Sequence, residues 1–235
     1  MSITENYKKI RAEIPPQVKI VVAAKTRTTA ELEEVIRAGA TDIGENYVQE
    51  AEATRLALSK ELIEKVNWHM LGHLQKNKIN KALPIFDYIQ TVDSLDLAKA
   101  IDKRVENAGK ETIPIMLEIN IGSELSKSGL KPEEHDDFEE FLEKIVVDIS
   151  RLKHIRLEGL MTMGPFSAKQ EEFRQYFRQT RELFDWINGL ELERVNMKYL
   201  SMGMTDSYQV AIEEGANVVR IGTAIFGPRE TACKY

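Results

Sequence analysis

A lysine follows the first apolar segment of the sequence, where a buried strand is predicted to end. Residues 18–24 have the β-branched, apolar composition of such a strand, and Lys25 comes directly after it. In a barrel of parallel strands, side chains at the carboxyl ends of the strands face the open mouth where ligands bind. An amine in that position could attack a carbonyl carbon as a nucleophile. A lysine that simply reaches solvent at a strand end is the alternative.

Two segments near the end of the sequence combine glycine with hydroxyl residues. "LSMGMTDS" (200–207) and "VRIGTAIFG" (219–227) each leave a predicted strand and enter a predicted helix. Glycine lets a ligand approach the backbone closely, and the free N–H groups at a helix start favour an anion. Loops after the seventh and eighth strands of such barrels are frequent phosphate sites. We therefore predict a phosphate site, with tight turns as the alternative; its candidate residues are Ser201, Gly203, Thr205, Gly222 and Thr223.

A nucleophilic lysine near a phosphate site describes a ligand with an aldehyde at one end and a phosphate at the other. Pyridoxal 5′-phosphate (PLP) has this form, and so do some sugar phosphates. Arg220, at the end of the predicted eighth strand, could meet a pyridine nitrogen. Because arginine stays protonated, it would donate a hydrogen bond and leave the ring nitrogen unprotonated. The ring would then be a weak electron sink, which restrains carbanion chemistry. An ion pair of Arg220 inside the barrel is the alternative.

Short apolar segments alternate with amphipathic segments along the whole chain. The strands are predicted at residues 18–24, 41–44, 66–71, 86–91, 113–121, 155–161, 198–202 and 217–221. Segment 113–121 is too continuously apolar for a half-exposed antiparallel strand, which indicates buried parallel strands. Eight strands, each followed by a helix, predict an α/β fold, a single (β/α)8 TIM barrel over residues 1–235 with an extra N-terminal helix. A doubly wound open sheet is the alternative.

Two helix signals are clear in the sequence. Thr28 and Glu31 form a capping box, and Gly39 is the expected stop of the helix that follows. The second signal is a stripe of mostly apolar residues at helical spacing, which predicts a helix that packs against the core and not a cofactor site. Its members are Phe173, Phe177, Thr180, Phe184 and Ile187.

The composition limits the classes of function. The chain has 235 residues, of which 43% are hydrophobic and 30% charged, and its net charge of −6 (32 − 38) argues against a nucleic-acid-binding surface. Cys233 is the only cysteine, which fits a reducing compartment. With neither a signal peptide nor an apolar run of about 18 residues, we expect a cytoplasmic protein without membrane contact, and a monomer.

A metal site is not expected. His69 and His73 are four residues apart, but they lack the glutamate of an H-E-x-x-H motif and lie at a strand end. Lys127, in the loop after the fifth strand, could contact a ligand or be solvated, and both possibilities stay open.

The sequence resembles the pyridoxal phosphate homeostasis protein family, also called the YggS or proline synthase co-transcribed family. Its members are single-domain relatives of the alanine racemase barrel. The matching segments span nearly the whole chain: "AAKTR", "GENYVQEA", "HMLGHLQKNK", "QTVDSLDLA", "EINIGSELSKSGL", "LEGLMTMGPF", "LSMGMTDSY" and "VRIGTAIFG". The resemblance implies an internal aldimine of PLP on Lys25, with Arg220 beside the pyridine nitrogen and Asn46 lining the ring. It further implies phosphate contacts from Ser201, Gly222 and Thr223. Thr205 departs from the usual serine but keeps the hydroxyl.

The expected function is PLP binding for intracellular vitamin B6 homeostasis, with release or delivery of the cofactor to apo-enzymes. The resemblance implies no robust enzymatic turnover. The first alternative is a PLP-dependent amino-acid racemase with weak activity, and the second is a Schiff-base aldolase. Racemisation needs a base on each face of the substrate, and in two-domain racemases the second base comes from a domain that this chain has no length to encode. Tyr47 and Tyr208 are the candidates for that base, although ring-edge packing is favoured for both.

Overall fold

Eight parallel strands close into a barrel in the order β1-β2-β3-β4-β5-β6-β7-β8, with β8 paired to β1. The computed structural model describes residues 2–122, 128–164 and 171–228. The strands are β1 Lys19–Ala23, β2 Asp42–Glu45, β3 Asn67–Met70, β4 Tyr88–Val92, β5 Ile113–Ile119, β6 Ile155–Thr162, β7 Val195–Ser201 and β8 Val218–Ile221. Each of the eight predicted strands is therefore confirmed. The open-sheet alternative is wrong, because Val21 of β1 lies in register with Arg220 of β8.

Helices surround the barrel and connect its strands. They are α1 Ile3–Glu13, α2 Thr29–Arg37, α3 Val48–Ala57, α4 Lys60–Glu64, α5 Ile79–Ala82, α6 Leu95–Asn107, α7 Phe138–Ser150, α8 Glu172–Asn188, α9 Tyr208–Glu213 and α10 Thr223–Phe226. Short 3₁₀ helices cover Lys76–Lys78 and Pro132–Glu134. The extra N-terminal helix is α1. Among the described residues, no helix is long and apolar enough to cross a membrane.

Local sequence signals explain where the helices begin and end. Thr28 and Glu31 form the predicted capping box at the start of α2, and Gly39 follows its end with φ of 110°. Positive φ is a conformation that glycine adopts without strain, so the chain can turn there towards β2. The predicted stripe on α8 is confirmed as core: its five side chains are all buried.

The strands separate two packed layers. Val21, Leu71 and Val218 form a small apolar cluster with Ala23 and Tyr199. A much larger cluster joins the opposite faces of the strands to the helices. Since successive side chains of a strand point to opposite faces, the small cluster marks the barrel interior and the large one the outer layer. The interior positions of β1 are Val21 and Ala23, and Lys25 continues this two-residue repeat just beyond the strand.

Candidate functional site

Lys25 lies at the mouth of the barrel, two residues beyond the end of β1. Its side chain is half-buried, and its Nζ lies 5.3 Å from the centre of the Tyr47 ring. An ammonium over an aromatic face is attracted by the ring, which holds the lysine over the end of β2. The next residue, Thr26, has φ of 65°, and its N–H donates to the Glu50 carboxylate at 3.2 Å. The backbone therefore turns sharply just after the amine.

The loops after β7 and β8 lie side by side. The backbone N–H of Arg220 donates to the Gly203 carbonyl at 3.0 Å, and the N–H of Ala224 donates to the Thr205 hydroxyl at 3.3 Å. Gly203 has φ of 86°, and a Cβ atom there would lie 2.6 Å from the Cβ of Ala211. Only glycine fits this position without strain or displacement of the neighbouring helix. The predicted juxtaposition of the two loops is therefore present.

The second of these loops also touches β1. A Cβ atom at Gly222 would lie 3.1 Å from the carbonyl oxygen of Ala23, two residues before Lys25. Thr223 is the first residue of α10, so its N–H belongs to the first turn, which has no acceptor inside the helix. The fold thus brings Gly203, Gly222 and Thr223 to the same edge of the barrel as Lys25.

Helix α10 is held in place from the other end of the chain. Asn6 of α1 donates from Nδ2 to the Ile225 carbonyl at 2.9 Å. Arg27 donates to the Gly227 carbonyl at 2.6 Å and lies 5.1 Å from the Phe226 ring centre. These contacts were not predicted, because no sequence pattern links a residue to a partner 219 positions away. They hold the carboxyl-terminal end of α10 against α1 and the loop after β1.

Arg220 is buried inside the barrel at the end of β8. Its NH1 donates to the Ser201 carbonyl at 2.8 Å and to the Ser201 hydroxyl at 2.7 Å, and its NH2 donates to the Thr162 carbonyl at 2.7 Å. All three acceptors are neutral, which speaks against the ion-pair alternative. Burial lowers the pKa of Arg220 to about 10, partly opposed by the charge of Glu118. The guanidinium therefore stays protonated at neutral pH.

Ser201 lies beneath Arg220. Its side chain is fully buried, and its hydroxyl donates to the Gln90 side-chain oxygen at 2.7 Å while accepting from Arg220. In this arrangement the hydroxyl orients the arginine. Phosphate contact by Ser201 stays a prediction.

Asn46 follows β2 and is half-buried beside Tyr47. Both residues line a cleft of about 420 Å³ that continues along Gly72 and His73. A side chain at Gly72 would collide with the backbone of Asn46, its Cβ lying 2.9 Å from the Asn46 Cα. The position of Asn46 at the carboxyl end of β2 is compatible with the predicted ring contact, which stays a prediction.

Two buried carboxyl groups near the mouth were not predicted. Burial raises the pKa of Glu118 on β5 to about 7; the charge of Asp93 adds to this, and that of Arg220 opposes it. Burial, with the charge of Glu50, raises the pKa of Glu45 to about 8. One side-chain oxygen of each has no hydrogen-bond partner among the described residues. The sequence signal that could have revealed Glu118 is its position as a glutamate inside the continuously apolar segment 113–121.

The remaining candidates lie elsewhere. His69 is buried on β3, whereas His73 is exposed and pairs with Asp93 at 2.9 Å. Within the described ranges, no three His, Cys, Asp or Glu side chains could hold a metal ion. The Tyr208 hydroxyl donates to Glu13 at 2.7 Å, which gives this ring a structural contact with α1. Lys127 lies outside the described residues.

A closed parallel barrel with a lysine at the end of β1 and a glycine-rich edge after β7 and β8 defines a class of protein, the alanine racemase-like barrels. The family described as "Alanine racemase, N-terminal domain" matches residues 1–230. A pyridoxal phosphate homeostasis protein of Pseudomonas aeruginosa is 34% identical over 97% of this chain and 96% of its own length, and one of Aquifex aeolicus is 38% identical over 90% and 87%. The solved structure of PipY from Synechococcus elongatus with PLP bound has a TM-score of 0.83 and 31% identity, and the match covers 96% of this chain and 100% of PipY. The chain therefore belongs to the pyridoxal phosphate homeostasis protein family.

Proposed function

We propose that this protein binds PLP reversibly through Lys25 and serves the homeostasis of vitamin B6. The observation that carries the proposal is the meeting of Lys25, Arg220 and the two glycine-containing loops at one edge of the barrel. The relatives are named for PLP homeostasis, and PipY, a protein of the same fold, binds PLP. PLP would supply an aldehyde that condenses with a primary amine. The protein would supply the amine, the anion site and the donor for the ring.

The donors at the mouth fit the two ends of PLP. Thr223 and Gly222 would present backbone N–H groups to the phosphate, since the first turn of a helix attracts an anion. Gly203 would let the phosphate approach the backbone after β7. Asn6 and Arg27 would keep α10 in position while the ligand comes and goes.

Arg220 would hold the pyridine nitrogen as a hydrogen-bond acceptor. Three of the five N–H donors of its guanidinium are used by Ser201 and Thr162, and the other two, which have no partner among the described residues, could face the ring. A protonated arginine cannot take up the ring's proton, and the ring nitrogen therefore stays neutral. This favours storage of the cofactor over carbanion chemistry on a bound substrate.

The mouth around Lys25 is open to solvent on the side of Tyr47, whose side chain is 48% exposed. Enzymes that stabilise carbanions exclude water from the reacting atoms. An open mouth suits a protein that must exchange its cofactor with other proteins. We therefore propose PLP-dependent apo-enzymes as recipients. We also propose a cytoplasmic site of action and a monomer formed by one barrel over residues 1–235.

Titration of the purified protein with PLP tests the proposal. A new visible absorption band should saturate at one PLP per chain, and Lys25→Ala should abolish the band. The matched control is Lys60→Ala, which removes an exposed lysine whose side chain is 88% accessible and should leave the titration unchanged. A Lys25→Ala variant with the wild-type band would contradict the proposed attachment. Transfer of the cofactor is tested by adding a PLP-free transaminase and following the recovery of its activity. The recovery is compared with that given by free PLP at equal concentration.

A further inference from the structure

A chain of buried hydrogen bonds runs through the barrel interior from Arg220 to the opposite end. Arg220 donates to the Ser201 hydroxyl at 2.7 Å, and that hydroxyl donates to the Gln90 side-chain oxygen at 2.7 Å. The Gln90 amide nitrogen lies 2.9 Å from Nδ1 of His69. Nε2 of His69 lies 3.0 Å from the carboxylate of Asp42. All five side chains are at most 4% exposed.

This chain can only pass through the inside of the barrel. Ser201 is on β7 and Gln90 on β4, two strands that are not neighbours in the sheet. Ser201 ends β7 at the mouth, whereas Asp42 begins β2 at the amino-terminal end of the barrel. The chain therefore connects the candidate cofactor site with the far end of the molecule.

With a neutral His69, the two ends of this hydrogen-bond chain fix the direction of every bond in it. A guanidinium can only donate, and a carboxylate can only accept. Burial opposes ionisation of Asp42, but hydrogen bonds from His69 and the Thr41 hydroxyl, with the charge of Lys19, hold the pKa of Asp42 below its usual range. His69 must then donate from Nε2 and accept at Nδ1. Gln90 must donate its amide N–H to His69 and accept from Ser201.

We propose that Gln90, His69 and Asp42 are positioning residues of the cofactor site, which hold Ser201 and, through it, Arg220 in the orientation that meets the pyridine ring. The inference rests on the proposed function for its ligand but adds residues that lie far from the mouth. Every hydrogen bond in this chain is donated in the same direction, from the cation Arg220 towards the anion Asp42. This fixes the side-chain orientation of Arg220. Removal of a middle link leaves the Ser201 hydroxyl without its acceptor and loosens the guanidinium.

Gln90→Leu breaks the chain, and Gln90→His is the conservative rescue, because a neutral imidazole can accept from Ser201 with one nitrogen and donate to His69 with the other. The holo-protein with Gln90→Leu should release PLP at least about 5-fold faster, with a shifted absorption maximum. Gln90→His should stay within about 2-fold of the wild-type rate. Asp42→Asn, which keeps the shape and removes the charge, should accelerate release by at least about 3-fold and serves if Gln90→Leu does not fold.

Two controls separate this inference from a purely structural role and from the proposed function. Thr180→Val removes a buried hydrogen bond on α8, outside the barrel interior, and should lower stability without changing PLP release. Borohydride should still fix PLP on Lys25 in every variant. If no PLP is fixed on Lys25 in the wild type, the result contradicts the proposed function and not the role of the hydrogen-bond chain. In the cofactor-free protein, ¹⁵N NMR of His69 should show a protonated Nε2 and an unprotonated Nδ1. A protonated Nδ1, or a Gln90→Leu variant with wild-type release and spectrum, would overturn the inference.

Discussion

The inside of the barrel and the layer between barrel and helices differ in how many polar residues they bury. The outer layer is a continuous apolar cluster that includes Trp68 and Phe177, both fully buried. The interior holds the small apolar cluster around Val21, and polar side chains cross it from the mouth to the far end, with Arg220, Ser201 and Gln90 in hydrogen-bond contact. Apolar burial is the main source of folding free energy, whereas buried polar groups contribute little net stability but define orientation. The outer layer should therefore determine stability, and the interior should determine ligand binding.

The largest effect is expected in the outer layer. Phe177→Ala removes a fully buried ring from α8 and should lower the free energy of unfolding by about 3–5 kcal/mol, because a cavity remains. Denaturant unfolding measures this loss. The folded fraction should keep wild-type affinity for PLP. Leu56→Ala, at a side chain that is 85% exposed, is the control and should change stability by less than about 0.5 kcal/mol. A large loss of PLP affinity in Phe177→Ala would contradict the division into two layers.

Arg220→Met should weaken PLP binding more than it lowers the free energy of unfolding, the reverse of Phe177→Ala. It removes the donor for the ring and leaves the Ser201 and Thr162 carbonyls without their partner, so PLP should bind at least about 10-fold more weakly. The free energy of unfolding should fall by about 1–3 kcal/mol, less than for Phe177→Ala. Equilibrium titration with PLP gives the affinity. Arg178→Met, at an arginine that is 60% exposed on α8, should change neither quantity appreciably. Wild-type affinity in Arg220→Met would remove Arg220 from the site.

Gly203→Ala tests the close approach of the β7 loop to α9. Alanine at φ of 86° is strained, and its Cβ would collide with Ala211, so we expect a loss of about 1–3 kcal/mol and weaker PLP binding. Gly109→Ala is a matched control, because Gly109 also has positive φ, 66°, but nothing lies within 4 Å of its Cβ position. It should lose about 1 kcal/mol and bind PLP normally. Equal effects of the two variants on PLP binding would contradict the role of the loop.

The last prediction concerns the pH dependence of stability through a buried acid of the interior. The raised pKa of Glu118 means that the folded protein binds this proton more tightly than the unfolded chain between pH 4.5 and about 7. Its contribution to the free energy of unfolding should therefore fall as the pH rises through this window, by at most about 1.4 kcal/mol per pH unit, and then stay level. Glu118→Gln removes this contribution and should be more favourable, relative to wild type, at pH 8 than at pH 5. Denaturant unfolding at pH 5 and pH 8 measures the difference between the two proteins. A difference that does not depend on pH would mean that the Glu118 carboxyl is solvated in the folded protein.

The sequence predicted the fold well because the outer layer is encoded locally. Apolar runs such as 18–24 and the stripe on α8 are contiguous or periodic, and hydrophobic burial acts on them directly. The end of a strand also predicts the mouth of a barrel, which placed Lys25 and Arg220 at one edge. The partner of Ser201 could not be predicted, because Gln90 lies 111 residues away and meets it only across the closed barrel. The same reason applies to Asn6 and Ile225.

Attachment of PLP to Lys25 is tested by borohydride reduction of the PLP-loaded protein, followed by peptide mapping. Reduction should abolish the visible absorption band, and the pyridoxyl group should be found on the peptide that contains Lys25, in a yield of one per chain. A stable pyridoxyl group spread over surface lysines, or a protein that stays colourless when PLP is added, would contradict it. In that case Lys25 would be a solvated residue at the end of a strand.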